Sequence, residues 1–487
     1  MYIKNQVFLV LGISKSGKAA VEFLLARGAT VYIYDDLKSD RVEQLAADLV
    51  AHGAKKIGKE DLLNMPELCD GLVVSPGIPI DHPLAVAFKR SGRAVLGETE
   101  LAARFMRCPI VAVTGTNGKT TTVSMLTETL QKGGLGAFSC GNIGTPMVEY
   151  VDASNQEVAV AEISSFQLET LNSLQPHVAV VLNITEDHLN RHYTMENYIF
   201  LKAKLLKNLS AAEYAVLNYD DEVVRGFAEK TKARVVYFSV KERVRGAFVE
   251  QGELYFGKER IISISELPVD GVHYVQNVLA VIAVAKIFGV KTQDIVAALT
   301  GFKGVKHRIE FVGEARGVQF VNDSKGTNVD ATLKAIATMK RDTILLLGGQ
   351  NKGYDYGKLF SVLAGTKIVH AVLYGENRFS LLKSAREYNF LKVTLCERFD
   401  VAFQIAAMLA KSGQIVLLSP ASASFDEFSG YEERGDRFVE FVRAIQMENE
   451  RESQEKAGDV CVETDSLETR ECVKPSYESE NRLGELE

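Results

Sequence analysis

The sequence predicts an α/β chain of three domains with mostly parallel sheets. Short apolar runs such as VFLVLG, PIVAV and TILLL recur along it, each ends in a loop of Gly, Ser, Thr or Asn, and segments with apolar residues at helical spacing follow. The 487 residues agree, since about 150 per domain gives roughly three. Hydrophobic residues make up 46% and charged residues 24%, the composition of an ordinary globular protein. No apolar run approaches the roughly 20 residues of a membrane helix, and the start MYIKNQVFLVLG runs into a glycine turn instead of a signal-peptide cleavage site. A cytoplasmic chain with no membrane insertion is expected. Six scattered cysteines without a CxxC pair exclude a disulfide framework or a zinc knuckle.

The formal net charge is −7, but residues 447–487 hold 13 acidic and five basic side chains, leaving the rest of the chain near neutral. A near-neutral body lacks the basic face that nucleic-acid binding requires. The 447–487 segment is polar and acidic, and it is expected to be a solvated tail without a fold of its own.

The first segment begins with the short apolar run VFLVLG (Val7–Gly12), the turn Gly12-Ile13-Ser14-Lys15-Ser16-Gly17, a helix ending at Gly28 and a second strand ending in Asp35 and Asp36. That order is the start of a Rossmann-like unit, whose acidic residue falls about 20 positions after the first glycine. Ser14 stands at the fingerprint's middle glycine, so a purely structural tight turn is the competing reading. The strand GLVVS then leads into Ser75-Pro76-Gly77-Ile78-Pro79.

In the second segment the strand Pro109–Val113 meets Thr114-Gly115-Thr116-Asn117-Gly118-Lys119-Thr120-Thr121, and a helix runs on to Lys132. This is the setting of a phosphate-binding loop. Backbone N–H groups face an anion, Lys119 reaches terminal phosphates, and the Thr120 hydroxyl is a ligand for Mg²⁺. The strands EVAVAEI and HVAVVLNI end beside Glu162 and His188, at the edge where ligands of open α/β sheets gather. A salt bridge for Glu162 and a helix cap for His188 are the plain alternatives. The third segment repeats the pattern: strands precede NDSKGTN (322–328), GGQNKG (348–353) and SPASASFD (419–426), whose glycines, hydroxyls and lysines suit a small acid.

TGTNGKTT (114–121), CGNIGTP (140–146), EISSFQLE (162–169), NITEDHLNRH (183–192), HRIE (307–310), NDSKGTN, GGQNKG and SPASASFDEF (419–428) occur in the order seen in the Mur ligases, which the chain resembles over about residues 5–446. The resemblance implies three domains: a Rossmann-like N-terminal domain for a UDP-linked substrate (1–97), a P-loop ATPase central domain (98–302) and a mobile Rossmann-like C-terminal domain for an amino acid (303–446). It also implies a reaction. ATP would activate the alanine carboxylate of UDP-N-acetylmuramoyl-L-alanine as an acyl phosphate, and the amine of D-glutamate would displace phosphate.

By motif, Lys119, Glu162, His188 and Lys202 would form the catalytic set. Gly115, Thr116, Asn117, Gly118, Lys119, Thr120, Thr121, Asn277, Arg308 and Asp323 would hold ATP, although Tyr274 stands where the family's HNxxN has asparagine. Two Mg²⁺ ions would be held by Thr120, Glu162, His188 and Lys202, the last as a carbamate, with Lys204 a near competitor for that role. Ile13, Ser14, Asp35, Asp36, Gly77 and Asn142 would contact the UDP substrate. Lys325, Thr327, Lys352, Ser424, Phe425 and Tyr431 would contact D-glutamate. A monomer is expected. Related ligases that add another amino acid, including the folylpolyglutamate type, and a P-loop NTPase switch are the competing functions.

Overall fold

The computed structural model describes residues 2–268, 271–351 and 355–467. Contacts divide the chain between Lys303 and Gly304 into two compact units. The first unit contains two sheets. β1 (Val7–Leu11), β2 (Thr30–Tyr34), β3 (Lys55–Lys56), β4 (Gly71–Val74) and β5 (Ala94–Gly97) form a parallel sheet of order β3-β2-β1-β4-β5. Strand order reverses at β1, so the loops after β1 and β4 flank the crevice in which such sheets bind ligands. Gly12 closes the first loop with φ +82°, and Gly17 lets the following helix approach it: a Cβ there would overlap the Gly12 carbonyl oxygen.

The second sheet comprises β6 (Ile110–Thr114), β7 (Gly136–Gly141), β8 (Glu157–Glu162), β9 (Val178–Val181), β10 (Tyr214–Asn218), β11 (Arg234–Ser239), β12 (Gly246–Glu250), β13 (Glu253–Phe256) and β14 (Glu259–Ser263). Their order is β14-β13-β12-β11-β10-β9-β6-β8-β7, parallel from β7 to β12 and antiparallel only in the last two pairings. The central strands β6, β8 and β9 are buried on both faces, which their unbroken apolar runs require. One continuous core joins the two sheets. Phe23 meets Phe105 with ring centroids 5.3 Å apart, and Arg27 pairs with Asp152 at 3.1 Å. At this joint the Glu98 carboxylate is buried, and desolvation pushes its pKa up to about 7 although the Val148 N–H and the Thr99 hydroxyl both donate to it.

The second unit holds β15 (Glu310–Ala315), β16 (Val318–Asn322), β17 (Thr343–Gly348), β18 (Ile368–Tyr374), β19 (Val393–Leu395) and β20 (Ile415–Leu418), in the order β15-β16-β20-β17-β18-β19. Only β15 runs antiparallel. Its last helix corrects one sequence expectation. The helix Tyr431–Leu467 continues past residue 446, where a tail without structure was expected, because 448–457 is rich in Glu, Arg, Gln, Lys and Ala, all good helix formers that need no core. Residues 468–487 lie outside the described residues. No described helix is long and apolar enough to cross a membrane.

Gly17→Ala should destabilise the first unit by about 1–3 kcal/mol through overpacking against the β1 loop, read as a lower midpoint in thermal or denaturant unfolding.

Candidate active site

The loop after β6 carries the densest chemistry. Gly115 (φ +152°) and Gly118 (φ +84°) give it a shape closed to side chains, because a Cβ at 115 would press on Leu182 and one at 118 would overlap Asn277 Oδ1. Asn277, on the helix Val272–Ile287, therefore abuts the loop. The helix Lys119–Lys132 starts directly after Gly118, so its first-turn N–H groups and positive end point into the loop. Thr121 is half-buried in its first turn. Lys119 Nζ donates to the carbonyl oxygens of Gly115 (2.8 Å) and Thr116 (2.9 Å).

A clamp from the loop after β9 fixes the same turn. Thr116 N–H donates to the Asn183 carbonyl (2.9 Å), Asn117 N–H donates to Asn183 Oδ1 (2.8 Å), and the Asn183 amide returns a bond to the Asn117 carbonyl. Thr116 Oγ1 donates to the Thr185 carbonyl and lies 3.0 Å from the buried Tyr198 hydroxyl. Asn183 was absent from the predicted site, although its place at a strand end carries the signal that found Glu162 and His188.

Glu162 ends β8 and is 2% exposed. Its two carboxylate oxygens accept from the Thr120 hydroxyl and the Asn142 amide, each at 2.8 Å. Asn142 was predicted to face the muramoyl substrate, and in the structure it is tied to this carboxylate. Thr120 and Glu162 thus present a hydroxyl and a carboxylate side by side, hard oxygen donors of the kind Mg²⁺ takes alongside phosphate and water. No group of three or more His, Cys, Asp and Glu side chains that could hold a metal occurs among the described residues.

Lys202 comes from the helix Met195–Ala203 and is 1% exposed. Its Nζ donates to Thr114 Oγ1 and to the Gly115 carbonyl, both at 3.0 Å, so the amine is inserted where β6 becomes the loop. Burial, and then the Lys119 charge, push its pKa well below the usual lysine value. Lys204 instead donates to the carbonyls of Leu168 and Glu169, away from the loop. His188 adopts φ +53°, a strained conformation for a non-glycine residue, and its Nε2 lies 3.5 Å from Asp187. It is the N-cap residue of the helix Leu189–His192, as the plain alternative had it, but it caps through its carbonyl, which accepts from the Arg191 and His192 N–H groups, and its side chain makes no cap bond. Burial lowers its pKa, as do the charges of Lys119 and Lys202, while Asp187 opposes them.

Sequence reasoning missed the group beside His188. His192 is buried with Nε2 3.0 Å from Ser165 Oγ and Nδ1 3.5 Å from Glu169, and burial drives its pKa down to about 4. Glu169 is also gripped by Arg191 through Nε at 2.9 Å and a second nitrogen at 2.6 Å. Phe166 lies under both Arg191 and His188.

In the crevice of the first sheet, Asp35 accepts from the Ile13 N–H and the Leu37 N–H, both at 2.9 Å, so it braces the glycine turn. Asp36 pairs with His82 at 3.0 Å. Ser14 begins the helix Lys15–Ala26 without a side-chain cap bond, and Gly77 is exposed. The Ser75 hydroxyl joins the two loops by donating to the Gly12 carbonyl at 2.7 Å.

Within the second unit, Asp323 is buried at the end of β16. It accepts from Ser419 Oγ (2.6 Å) and the Ile309 N–H (3.2 Å), and desolvation pushes its pKa up to about 6 despite these bonds and the nearby Arg308 charge. Lys325 Nζ lies 5.5 Å from the centre of the Tyr431 ring, which gives that aromatic a contact beyond core packing. Thr327 N–H donates to the Lys325 carbonyl, Ser424 is buried, and Phe425 is 54% exposed. Lys352 lies outside the described residues. The fully buried Arg434, another residue the sequence did not reveal, braces this edge by donating to Ser324 Oγ, the Ser324 carbonyl and the Ser422 carbonyl.

Three family models match in succession. That described as the Mur ligase MurD-like N-terminal domain covers residues 6–97, the Mur ligase middle domain 113–285, and the Mur ligase glutamate ligase domain 307–422. The chain belongs to the Mur ligase family. Among its relatives, the UDP-N-acetylmuramoylalanine–D-glutamate ligase of Pelotomaculum thermopropionicum is 40% identical over 450 residues, 90% of this chain and 97% of the relative. The enzyme of the same name from Alkaliphilus metalliredigens is 40% identical over 457 residues, 91% and 99% of the two chains. The fold is shared with the MurF ligase of Thermotoga maritima, solved in complex with ADP, at a TM-score of 0.53 and 17% identity over 91% of this chain and 96% of that one.

Below pH 6.5 the unfolded chain takes up a proton at His192 that the folded chain refuses until about pH 4. This residue therefore withdraws stability as the pH falls through that window. His192→Gln should lose less stability than the wild type between pH 6.5 and 4, measured by denaturant unfolding at a series of pH values.

Proposed function

We propose that the chain is an ATP-dependent ligase that joins D-glutamate to the alanine carboxylate of UDP-N-acetylmuramoyl-L-alanine in cytoplasmic peptidoglycan precursor synthesis. The observation that carries this reading is a phosphate loop flanked by Lys119, the Thr120–Glu162 pair and buried Lys202, on a chain that matches D-glutamate ligases along nearly their whole length.

A carboxylate is a poor electrophile, so the alanine carboxylate first takes the γ-phosphoryl group of ATP and ADP leaves. The amine of D-glutamate then attacks the acyl carbon, the C–N bond forms, and the C–O bond to phosphate breaks with loss of a proton from nitrogen. Phosphoryl transfer of this kind depends on positioning and charge, with no covalent enzyme nucleophile. The loop N–H groups and the helix end bind the phosphates, and Lys119 exchanges its bonds to the Gly115 and Thr116 carbonyls for a phosphate oxygen. Thr120 and Glu162 would hold Mg²⁺, with His188 at a second ion. Bound there, Mg²⁺ neutralises charge on the phosphoryl oxygens.

Lys202 suits conversion to a carbamate, because its depressed pKa leaves the amine lone pair available to attack CO₂. The N–C bond forms and a proton leaves nitrogen, and an anion replaces a buried neutral amine next to Lys119. Asn277, Arg308 and Asp323 serve the nucleotide. Ile13, Ser14, Asp35, Asp36, Gly77 and Asn142 serve the UDP substrate, with Asp35 acting through the Ile13 amide that it orients. Lys325, Thr327, Lys352, Ser424, Phe425 and Tyr431 serve D-glutamate.

Phosphate release from ATP should require UDP-N-acetylmuramoyl-L-alanine together with D-glutamate. L-glutamate, L-alanine or a diamino acid in its place should give none, and release without any amino acid would favour a nucleotide switch. Lys119→Ala should lower turnover by about 10²–10³-fold, the scale of losing one charge stabiliser at a transferring group. Lys202→Ala should be inactive and regain part of its rate when formate or acetate is added, whereas full activity without them would exclude a carbamate.

A further inference from the structure

Arg191 bridges two parts of the first unit that sequence places far apart. Its Nε and one terminal nitrogen fork onto the Glu169 carboxylate at 2.9 and 2.6 Å, and the same nitrogen donates to the Ile78 carbonyl at 2.7 Å. Longer contacts of 3.5 and 3.4 Å reach the carbonyls of Pro76 and Gly77. The pair is largely buried, at 14% and 7% side-chain exposure, over the Phe166 ring. One guanidinium thus addresses three successive carbonyls of the loop after β4 while its partner carboxylate sits on the helix Ser165–Thr170, which follows Glu162. Its own helical turn follows strained His188 and is pinned at its far end by the Tyr193 hydroxyl, which donates to Asp81 at 2.7 Å.

Peptide planarity gives this contact a direction. Turning the Pro76 carbonyl toward Arg191 turns the Gly77 N–H the opposite way. Gly77 is exposed, its N–H has no acceptor among the described residues, and its Cβ position faces open space. The adjacent Ile78 N–H is already used by the Ser75 carbonyl. The bridge therefore holds one free backbone donor at the crevice edge of the first sheet, in fixed register with the helix that follows Glu162.

We infer that Arg191, anchored by Glu169, is a positioning residue that holds the 76–78 loop in the conformation that binds the nucleotide end of the UDP-linked substrate. This inference rests on the proposed ligase reading for the identity of that substrate. Arg191 acts on the loop carbonyls and touches no reacting atom. A lysine cannot replace it fully, since it lacks the planar fork that satisfies a carboxylate and a carbonyl together.

The test compares wild type, Arg191→Met, Arg191→Lys, Glu169→Gln and Asp152→Asn, using calorimetric binding of UDP and steady-state kinetics for all three substrates. Arg191→Met should weaken UDP binding and raise KM for UDP-N-acetylmuramoyl-L-alanine by about tenfold or more, the scale of losing a charged hydrogen bond, with KM for ATP and D-glutamate changed less than about twofold. Arg191→Lys should recover part of that loss. Asp152→Asn, which breaks the exposed Arg27 pair between the same two sheets, should behave as wild type. An unchanged UDP affinity, or an equal rise in all three KM values, would overturn the inference. Should Arg191→Met fail to fold, Glu169→Gln decides, with the same shift expected at smaller size and an unchanged KM overturning it. Wild type that binds UDP but releases no phosphate with the acceptor and D-glutamate refutes the ligase reading and leaves the loop test standing. Wild type that binds no UDP overturns both.

Discussion

The buried carboxylate of Glu162 sets the geometry at the edge of the central sheet. A carboxylate at 2% exposure is tolerable only when its oxygens are satisfied, and here the Thr120 hydroxyl takes one and the Asn142 amide takes the other. Those partners belong to different loops, so the requirement registers the helix after the phosphate loop against the turn after β7. That turn is close enough for Gly141, at φ +96°, to have no room for a side chain against the Glu162 carbonyl. Because β8 lies directly beside β6 in the sheet, the carboxylate falls at the phosphate loop itself. The oxygen donors that would meet a cation are therefore arranged by folding before any cation arrives.

The same edge gathers positive charge in two different states of hydration. Lys119 lies at the helix start, half-buried on the loop carbonyls, while Lys202 is sealed beneath the loop on Thr114 and Gly115. Two ammonium groups so placed repel each other, and burial makes Lys202 the one that yields its proton. The carbonyl of Gly115 accepts from both, which ties the fate of one lysine to the position of the other. His188 feels both charges and holds a strained backbone beside them, so the segment after β9 is stressed where the chemistry is proposed to occur.

What was legible in the sequence follows from this arrangement. Parallel strands show as uninterrupted apolar runs and their loops as polar punctuation, so residues at strand ends, such as Glu162, His188 and Asp323, could be read directly. Groups that act from elsewhere could not. Arg191 and Glu169 are 22 positions apart, Arg191 meets a loop more than 110 residues away, and no local spacing encodes that meeting. Arg434 looks like any charged residue of an amphipathic helix until the fold buries it completely. Asp35 was legible in place but not in action, because the carboxylate turns back on the Ile13 amide. Composition misled at the C-terminus, since a segment too polar to build a core can still extend a helix.

Each unit places a carboxylate at the end of a parallel strand and holds it there with a hydroxyl: Glu162 with Thr120 in one, Asp323 with Ser419 in the other. A buried acid paired with a cation would be locked, because breaking a buried ion pair strands a charge. A hydroxyl is a neutral partner that both donates and accepts, so it can turn its proton elsewhere and leave the carboxylate free for a metal or a ligand donor. The cost shows at Asp323, where desolvation outweighs two hydrogen bonds and lifts the pKa to about 6. Such a group sits close to its own titration near neutrality, and an incoming cation or donor would return it to the charged state. Asp323 is thus stable enough to organise a strand end and poorly enough compensated to favour whatever positive group binds there.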